Sequence, residues 1–300
     1  QWIAPQARAG VEIALWDVLG RAQGRSVSRI IGRLRDRVEV YASGAFLEEG
    51  DVDHHVARLA PLLDRGVRKV KLRTGPDWQR DLDVLADVRR RLGTDIELMI
   101  DASETYTLPT SRRLAERLAE LDVRWIEEPI PQGDRAGIEA LVAHSPVPVA
   151  YGEHMFGAGE AIDAMRRRQL DVLQPDAATA GGIAEARRMA TAAAAFGVRV
   201  VPHVCAGPIA LAANLHLAAT VPAIRCIEYP PTLLPVWAAF GSGAPLGLDA
   251  IEDGELPVPD APGLGVALDE AAARAHPYRP PGTRVVGTTS GLPDRFVGDR

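Results

Sequence analysis

The runs IELMID (96–101), VRWIEE (123–128) and VPVAYGE (147–153) decide the fold of this chain. Each is a short apolar stretch that ends on an acid, and the acids Asp101, Glu127 and Glu153 stand twenty-six residues apart. A strand followed by a returning helix takes roughly 25–30 residues, so equal spacing places the three acids at the same position of successive strand–helix units, on one rim of a parallel sheet or barrel. Three carboxylates on one rim repel one another and raise each other's pKa unless a cation sits among them. A hard divalent ion such as Mg²⁺ takes oxygen ligands of this kind.

Working outward from these runs, similar segments begin at Val38, Val67, Leu170, Val198 and Ile224, which makes eight. Most are continuously apolar rather than alternating, as parallel strands buried on both faces require. Between them lie helical patterns such as SRRLAERLAELD (111–122) and GIAEARRMATAAAAFG (182–197), the latter stopped by Gly197. Eight alternations of strand and helix argue for a closed α/β barrel, with an open doubly wound sheet as the alternative. Ahead of the first strand, Val11, Ala14, Leu15, Val18 and Leu19 recur at helical spacing in a helix with no barrel partner before it. After the last strand the expected eighth helix is interrupted by proline and glycine in YPPTLLPVWAAFGSGAPLG (229–247). The following segment reads as a turn and a short strand, and the tail from Tyr278 as a surface extension.

The composition, 47% hydrophobic and 25% charged, is that of an ordinary globular chain rather than a disordered one. A formal net charge of −6 supplies no basic face for nucleic acid. No apolar stretch is long enough to span a bilayer and the first residues lack signal-peptide order, so no membrane partner and a cytoplasmic location are expected. Cys205 and Cys226 lie in apolar runs and read as buried free thiols rather than a disulfide framework.

Barrel enzymes place their chemistry at the C-terminal ends of the strands. Those positions hold Lys71, Asp101, Glu127, Glu153, Asp176, His203 and Glu228 in strand order. Each has a bland alternative: Asp101 as a helix cap, Glu127 or Glu128 as a solvated loop residue, His203 as a core histidine, Lys71 as a surface lysine. In KVKLR the strand period puts Lys69, Lys71 and Arg73 on one face, either the barrel interior or a basic stripe. Lys69 beside Lys71 is expected to lower the lysine pKa and leave one amine neutral as a base. Asp176 on the strand next to His203 would orient the ring and raise its basicity. A metal at Asp101, Glu127 and Glu153 could bind a substrate carboxylate and stabilise the charge that develops when the α-proton leaves. Glu228, if protonated, could donate a hydrogen bond to the same group.

Taken together and in order, these residues resemble the enolase superfamily, in particular its mandelate racemase-like group. The resemblance runs from about Val11 to about Leu268. It includes ALWD (14–17), the Lys69–Lys71 pair, Asp101, IEEP (126–129), Gly152-Glu153, PDAATAGG (175–182), and the His203 and Glu228 strands. It implies a modified (β/α)7β TIM barrel spanning residues 37–240. Residues 1–36 would be the last helical part of an α+β capping domain otherwise absent from this sequence, and 241–300 a segment returning toward that cap. It also implies Mg²⁺ with a Lys or His base, a small-molecule carboxylate as substrate, and a homo-oligomeric assembly. Ser103 stands where relatives often have Asn, and with Arg73 and His154 it is a candidate substrate contact. Gly-Glu-His at 152–154 resembles several sugar-acid dehydratases, which favours dehydration of an aldonic or aldaric acid. A racemase or epimerase using Lys71 and His203 as two bases is the alternative, and a non-catalytic barrel that binds a metal or a partner is a third reading.

Overall fold

Buried apolar strands and amphipathic helices alternate around a closed ring in the computed structural model, which describes residues 3–231, 237, 240–243 and 246–275. Strands β1 (Arg37–Phe46), β2 (Lys69–Arg73), β3 (Glu97–Asp101), β4 (Val123–Glu127), β5 (Val149–Tyr151), β6 (Val172–Leu173) and β7 (Arg199–Val200) pair in parallel in chain order. The eighth, β8 (Cys226–Tyr229), pairs in parallel with β1, and a parallel bridge from Val200 to Ile224 joins β7 to its approach. The sheet therefore meets itself, and the open-sheet alternative falls.

Helices α3 (Val52–Leu63), α4 (Trp78–Leu92), α5 (Leu108–Glu120), α6 (Arg135–Val142), α7 (Ala158–Arg166), α8 (Ile183–Phe196) and α9 (Pro208–Ala218) form the outer layer. They start where sequence chemistry allows it. Asp51, Asp77 and Asp134 each accept a hydrogen bond from the backbone N–H three residues on, satisfying a donor the first turn would otherwise orphan. In α5, Ser111, Leu114, Ala115 and Leu118 are buried at helical spacing and pack the helix on the sheet. Gly197 ends α8 in the left-handed conformation, as its place after Phe196 led one to expect.

The strand pleat sends alternate side chains into the barrel. Tyr41, Met99, Trp125, Ala150, Val172, Val201 and Cys226 form an apolar layer there, distinct from the larger core between sheet and helices. Two residues further along several of the same strands come Asp101, Glu127, Gln174, His203 and Glu228, so a polar layer lies directly on an apolar floor.

Ahead of the barrel, α1 (Ile3–Gln23) is followed by the short α2 (Val27–Ile31). The apolar stripe read from the sequence proves to face away from the barrel: Val11, Leu15 and Val18 are each more than 60% exposed, while Ala9 and Ile13 make the buried contact. Polar groups finish the docking. Both carboxylate oxygens of Glu12 cap α8, accepting from Ile183 N (2.8 Å) and Ala184 N (2.9 Å), and Asp17 accepts from Leu264 N (2.8 Å). Past β8, β9 (Gly241–Gly243) pairs with β11 (Val266–Leu268), and β10 (Glu255–Pro257) runs antiparallel along the start of β1. Part of the 229–247 segment and the tail from Tyr278 lie outside the described residues. Cys226 is buried as expected, but Cys205 is exposed because it sits in the loop beyond β7 rather than in the strand. No helix among the described residues is long and apolar enough to cross a membrane.

Candidate active site

Strand register decides which groups share the rim. Arg73 pairs with Asp101 across β2 and β3, and Asp101 with Glu127 across β3 and β4, whereas Lys71 pairs with Met99 of the apolar layer. The end of β2 is therefore Arg73, and Lys71 starts one step deeper than the sequence reading placed it. Its long side chain rises to meet three carboxylates: Nζ is 2.5 Å from Glu127 Oε1, 3.0 Å from Glu228 Oε1 and 3.6 Å from Asp101 Oδ2, with the side chain fully buried. Burial alone would lower its pKa, but Glu127 and Glu228 outweigh that and hold it well above the ordinary value. Lys69 does not produce the expected repulsion. It lies at the other end of β2, where its Nζ meets Glu39 Oε2 at 2.5 Å; burial opposes its charge, and the Glu39 partner raises its pKa overall.

Arg73 occupies the rim itself. Its guanidinium is 3.1 Å from Asp101 Oδ2 and donates to Ser103 Oγ at 3.4 Å. Asp101 raises its already high pKa, so this group stays a cation under all working conditions. Ser103, in the left-handed region at φ 46°, turns its N–H and hydroxyl back to Asp101 Oδ1 at 2.9 and 3.0 Å. Burial would raise Asp101, but Arg73 and Lys71 more than offset it and hold the carboxylate below its usual range.

Glu127 and Glu128 part company at the strand end. Glu127 points inward and is wholly buried. Glu128, at φ 41°, turns away to accept from His154 Nδ1 at 2.9 Å. The Glu128 hydrogen bond raises His154 to about 9 against the effect of burial, while burial pushes Glu128 up to about 7. His154 thus stands beside the site as the partner of Glu128, with Nε2 3.9 Å from Glu153 Oε1. Glu104 approaches the same pair, and among the described residues Glu104, Glu128 and His154 are the three whose ligand atoms converge within 4.8 Å.

On the far side, His203 Nδ1 is 3.0 Å from Asp176 Oδ2. An Nδ1–H that donates to Asp176 leaves Nε2 as the acceptor facing the rim, 3.5 Å from Glu153 Oε2 and 3.8 Å from Glu228 Oε2. Burial would lower the histidine, but Glu153, Glu228 and Asp176 raise it well above its ordinary value. Glu228 is not the protonated donor expected from the sequence. Burial favours protonation, yet Lys71, His203 and Arg73 prevail and hold it at about 2, and it accepts from Val204 N at 3.1 Å.

Two residues in this network escaped the sequence reading. Asn214 donates to Asp176 Oδ1 at 2.8 Å and accepts from Ala177 N at 3.1 Å; the available signal was a lone amide in the largely apolar helix PIALAANLHLA. Gln174 donates to Glu127 Oε2 at 2.5 Å, and its signal was a polar residue at the inward phase of LQPD.

The donor set fits a divalent cation. Asp101, Glu127, Glu153, Asp176 and Glu228 are five acids around two permanent cations and one imidazole, so acidic groups outnumber basic ones by two. Burial, then the neighbouring acids, pushes Glu127 up to about 8 despite Lys71, as expected of a carboxylate short of positive charge.

The comparisons agree with this architecture. Residues 55–272 match the enolase C-terminal domain-like family and residues 2–32 the N-terminal domain of mandelate racemase/muconate lactonizing enzymes. D-galactarolactone cycloisomerase of Agrobacterium fabrum is 33% identical, covering 89% of this chain and 72% of the relative; arabinonate dehydratase of Saccharolobus solfataricus is 30% identical, covering 89% and 70%. A racemase from Streptomyces coelicolor with bound magnesium superposes with a TM-score of 0.80 at 30% identity, covering 90% of this chain and 72% of that one. The rim of ordered carboxylates, the Asp176–His203 pair and these matches together show that the chain belongs to the mandelate racemase/muconate lactonizing enzyme family of the enolase superfamily.

Proposed function

We propose that this protein dehydrates an acid sugar, an aldonic or aldaric acid, with His203 as its one base. The observation that carries this reading is the occupant of the β2 rim. Arg73 stands there, and a guanidinium cannot accept a proton at working pH, while Lys71 beneath it is enclosed by Glu127, Glu228 and Asp101. A two-base racemase needs a proton acceptor on each face of the substrate carbon. These positions supply one on the His203 side and a permanent cation on the other. The acid-sugar class is supported by the arabinonate dehydratase relative.

The residues then divide the work. Mg²⁺ on Glu153 would offset the charge that does most to hold the ring protonated, and His203 Nε2 then takes the α-proton while Asp176, held by Asn214, keeps the ring oriented and stabilises the imidazolium. The C–H pair becomes the new C=C bond, the β C–O bond breaks, and the same imidazolium returns its proton to the departing hydroxyl, which leaves as water. The resulting enol becomes a 2-keto-3-deoxy acid. Arg73 supplies charge and planar donors for substrate oxygens, with Ser103 beside it. Mg²⁺ held by Asp101, Glu127 and Glu153 would neutralise the substrate carboxylate and stabilise the charge that grows on it.

The test is a screen of aldonic and aldaric acids with Mg²⁺ in D₂O. Release of 2-keto-3-deoxy acid from one α-configuration is expected, with His203→Asn lowering kcat about 10²–10⁴-fold. Interconversion of α-epimers with the β-hydroxyl retained would overturn the reading, as would α-proton exchange undiminished in His203→Asn.

A further inference from the structure

We infer that Gln174 is a positioning residue that pins the carboxylate of Glu127 for a divalent cation; this rests on the Mg²⁺ reading above. Glu127 is gripped from two sides. Lys71 Nζ takes Oε1 at 2.5 Å, and Gln174 Nε2 donates to Oε2 at 2.5 Å. With a donor on each oxygen the carboxylate plane cannot rotate, and each oxygen keeps a further lone pair for an ion. The two grips differ in kind. Lysine cancels the charge it holds, whereas an amide orients a carboxylate and leaves its full charge for the metal.

The amide can work in only one direction. Turned over, it would set its own oxygen against Glu127 Oε2, so Nε2 must face the acid. The cost is visible, because Gln174 Oε1 is buried without a hydrogen-bond partner. Its backbone is held as firmly. Gln174 N donates to Tyr151 O at 2.9 Å, and Gly152 passes so close, at φ 144°, that a Cβ there would meet Gln174 N at 2.6 Å. Pro175 follows and restricts the other side. A side chain placed this rigidly against a candidate metal ligand matches what outer partners do in metal sites, where they fix ligand orientation.

The measurement is calorimetric titration of the protein with Mg²⁺ and with Ca²⁺. Gln174→Met keeps the volume and removes the donor, and Gln174→Leu removes it with a shorter, branched side chain; the second carries the test if the first fails to fold. Both are expected to weaken Mg²⁺ about 10–100-fold. Ca²⁺, which tolerates irregular ligand geometry, should lose less, whereas general damage to the fold would weaken both ions alike. Unchanged Mg²⁺ affinity in both variants, or equal loss for the two ions, would overturn the inference while leaving the dehydratase reading standing. Failure of the unmodified protein to bind Mg²⁺ would overturn both.

Discussion

Replacing Lys71 by Met separates a structural cation from a catalytic base. The side chain is fully buried and its Nζ lies 2.5 Å from Glu127 and 3.0 Å from Glu228. Methionine preserves the hydrophobic stem, so packing changes little, but two buried acids lose their partner. Breaking a buried ion pair from one side costs about 3–5 kcal/mol, whereas a volume-conserving swap of a neutral side chain costs under about 1.5 kcal/mol. At about 2–4 °C per kcal/mol for a domain of this size, the variant should melt about 6–20 °C below the unmodified protein in EDTA. Saturating Mg²⁺ should narrow the gap, because without the lysine charge beside Glu127 the variant is expected to bind the cation more tightly, and each tenfold difference in affinity is worth about 1.4 kcal/mol. The deficit should also shrink at lower pH. Glu127 already has its folded pKa raised to about 8 from 4.5, so the folded state favours its protonated form; that contribution is present below 4.5 and lost as pH rises through 8. Differential scanning fluorimetry from pH 6 to 9 with and without Mg²⁺ measures all three effects. A fall of less than about 3 °C in EDTA at pH 8 would refute the view of Lys71 as a buried charge hub, because a neutral amine could be lost that cheaply.

Two further outcomes test how the N-terminal helices and barrel are joined. His216 is buried in α9, where Nδ1 accepts from Ser28 N and Nε2 faces Leu264 O; burial lowers its pKa from 6.5 to about 4, so stability it supports is present above 6.5 and lost as pH falls toward 4. His216→Asn should therefore flatten the loss of unfolding free energy over that window by up to about 1.4 kcal/mol per pH unit, read from urea titrations, and an unchanged slope would count against the assignment. Glu12→Ala removes the cap from the first turn of α8 and one anchor of α1. A loss of about 1–2 kcal/mol is expected, with faster amide exchange at Ile183 and Ala184; unaltered exchange there would show that the cap does not hold the junction.

Much of this protein is determined by local sequence alone. Continuous apolar runs at even spacing require parallel strands buried on both faces, and an acid closing each run puts Asp101, Glu127 and Glu153 on one rim without knowledge of any distance. The Asp176–His203 pair follows from the same periodicity, because adjacent strands of a parallel barrel bring equivalent positions together. What periodicity leaves open is depth and direction. Only the register of β2 against β3 shows that Arg73, and not Lys71, is level with Asp101, since a shift of two residues leaves the facing unchanged. Protonation states likewise depend on charges brought together from distant segments. Lys71 and His203 decide that Glu228 is ionised, and Glu39 draws Lys69 away from Lys71. The apolar stripe of α1 makes the same point, because an amphipathic helix announces two faces and the sequence does not say which meets the barrel; Glu12 and Asp17 settle it by capping groups that come close only in the folded chain.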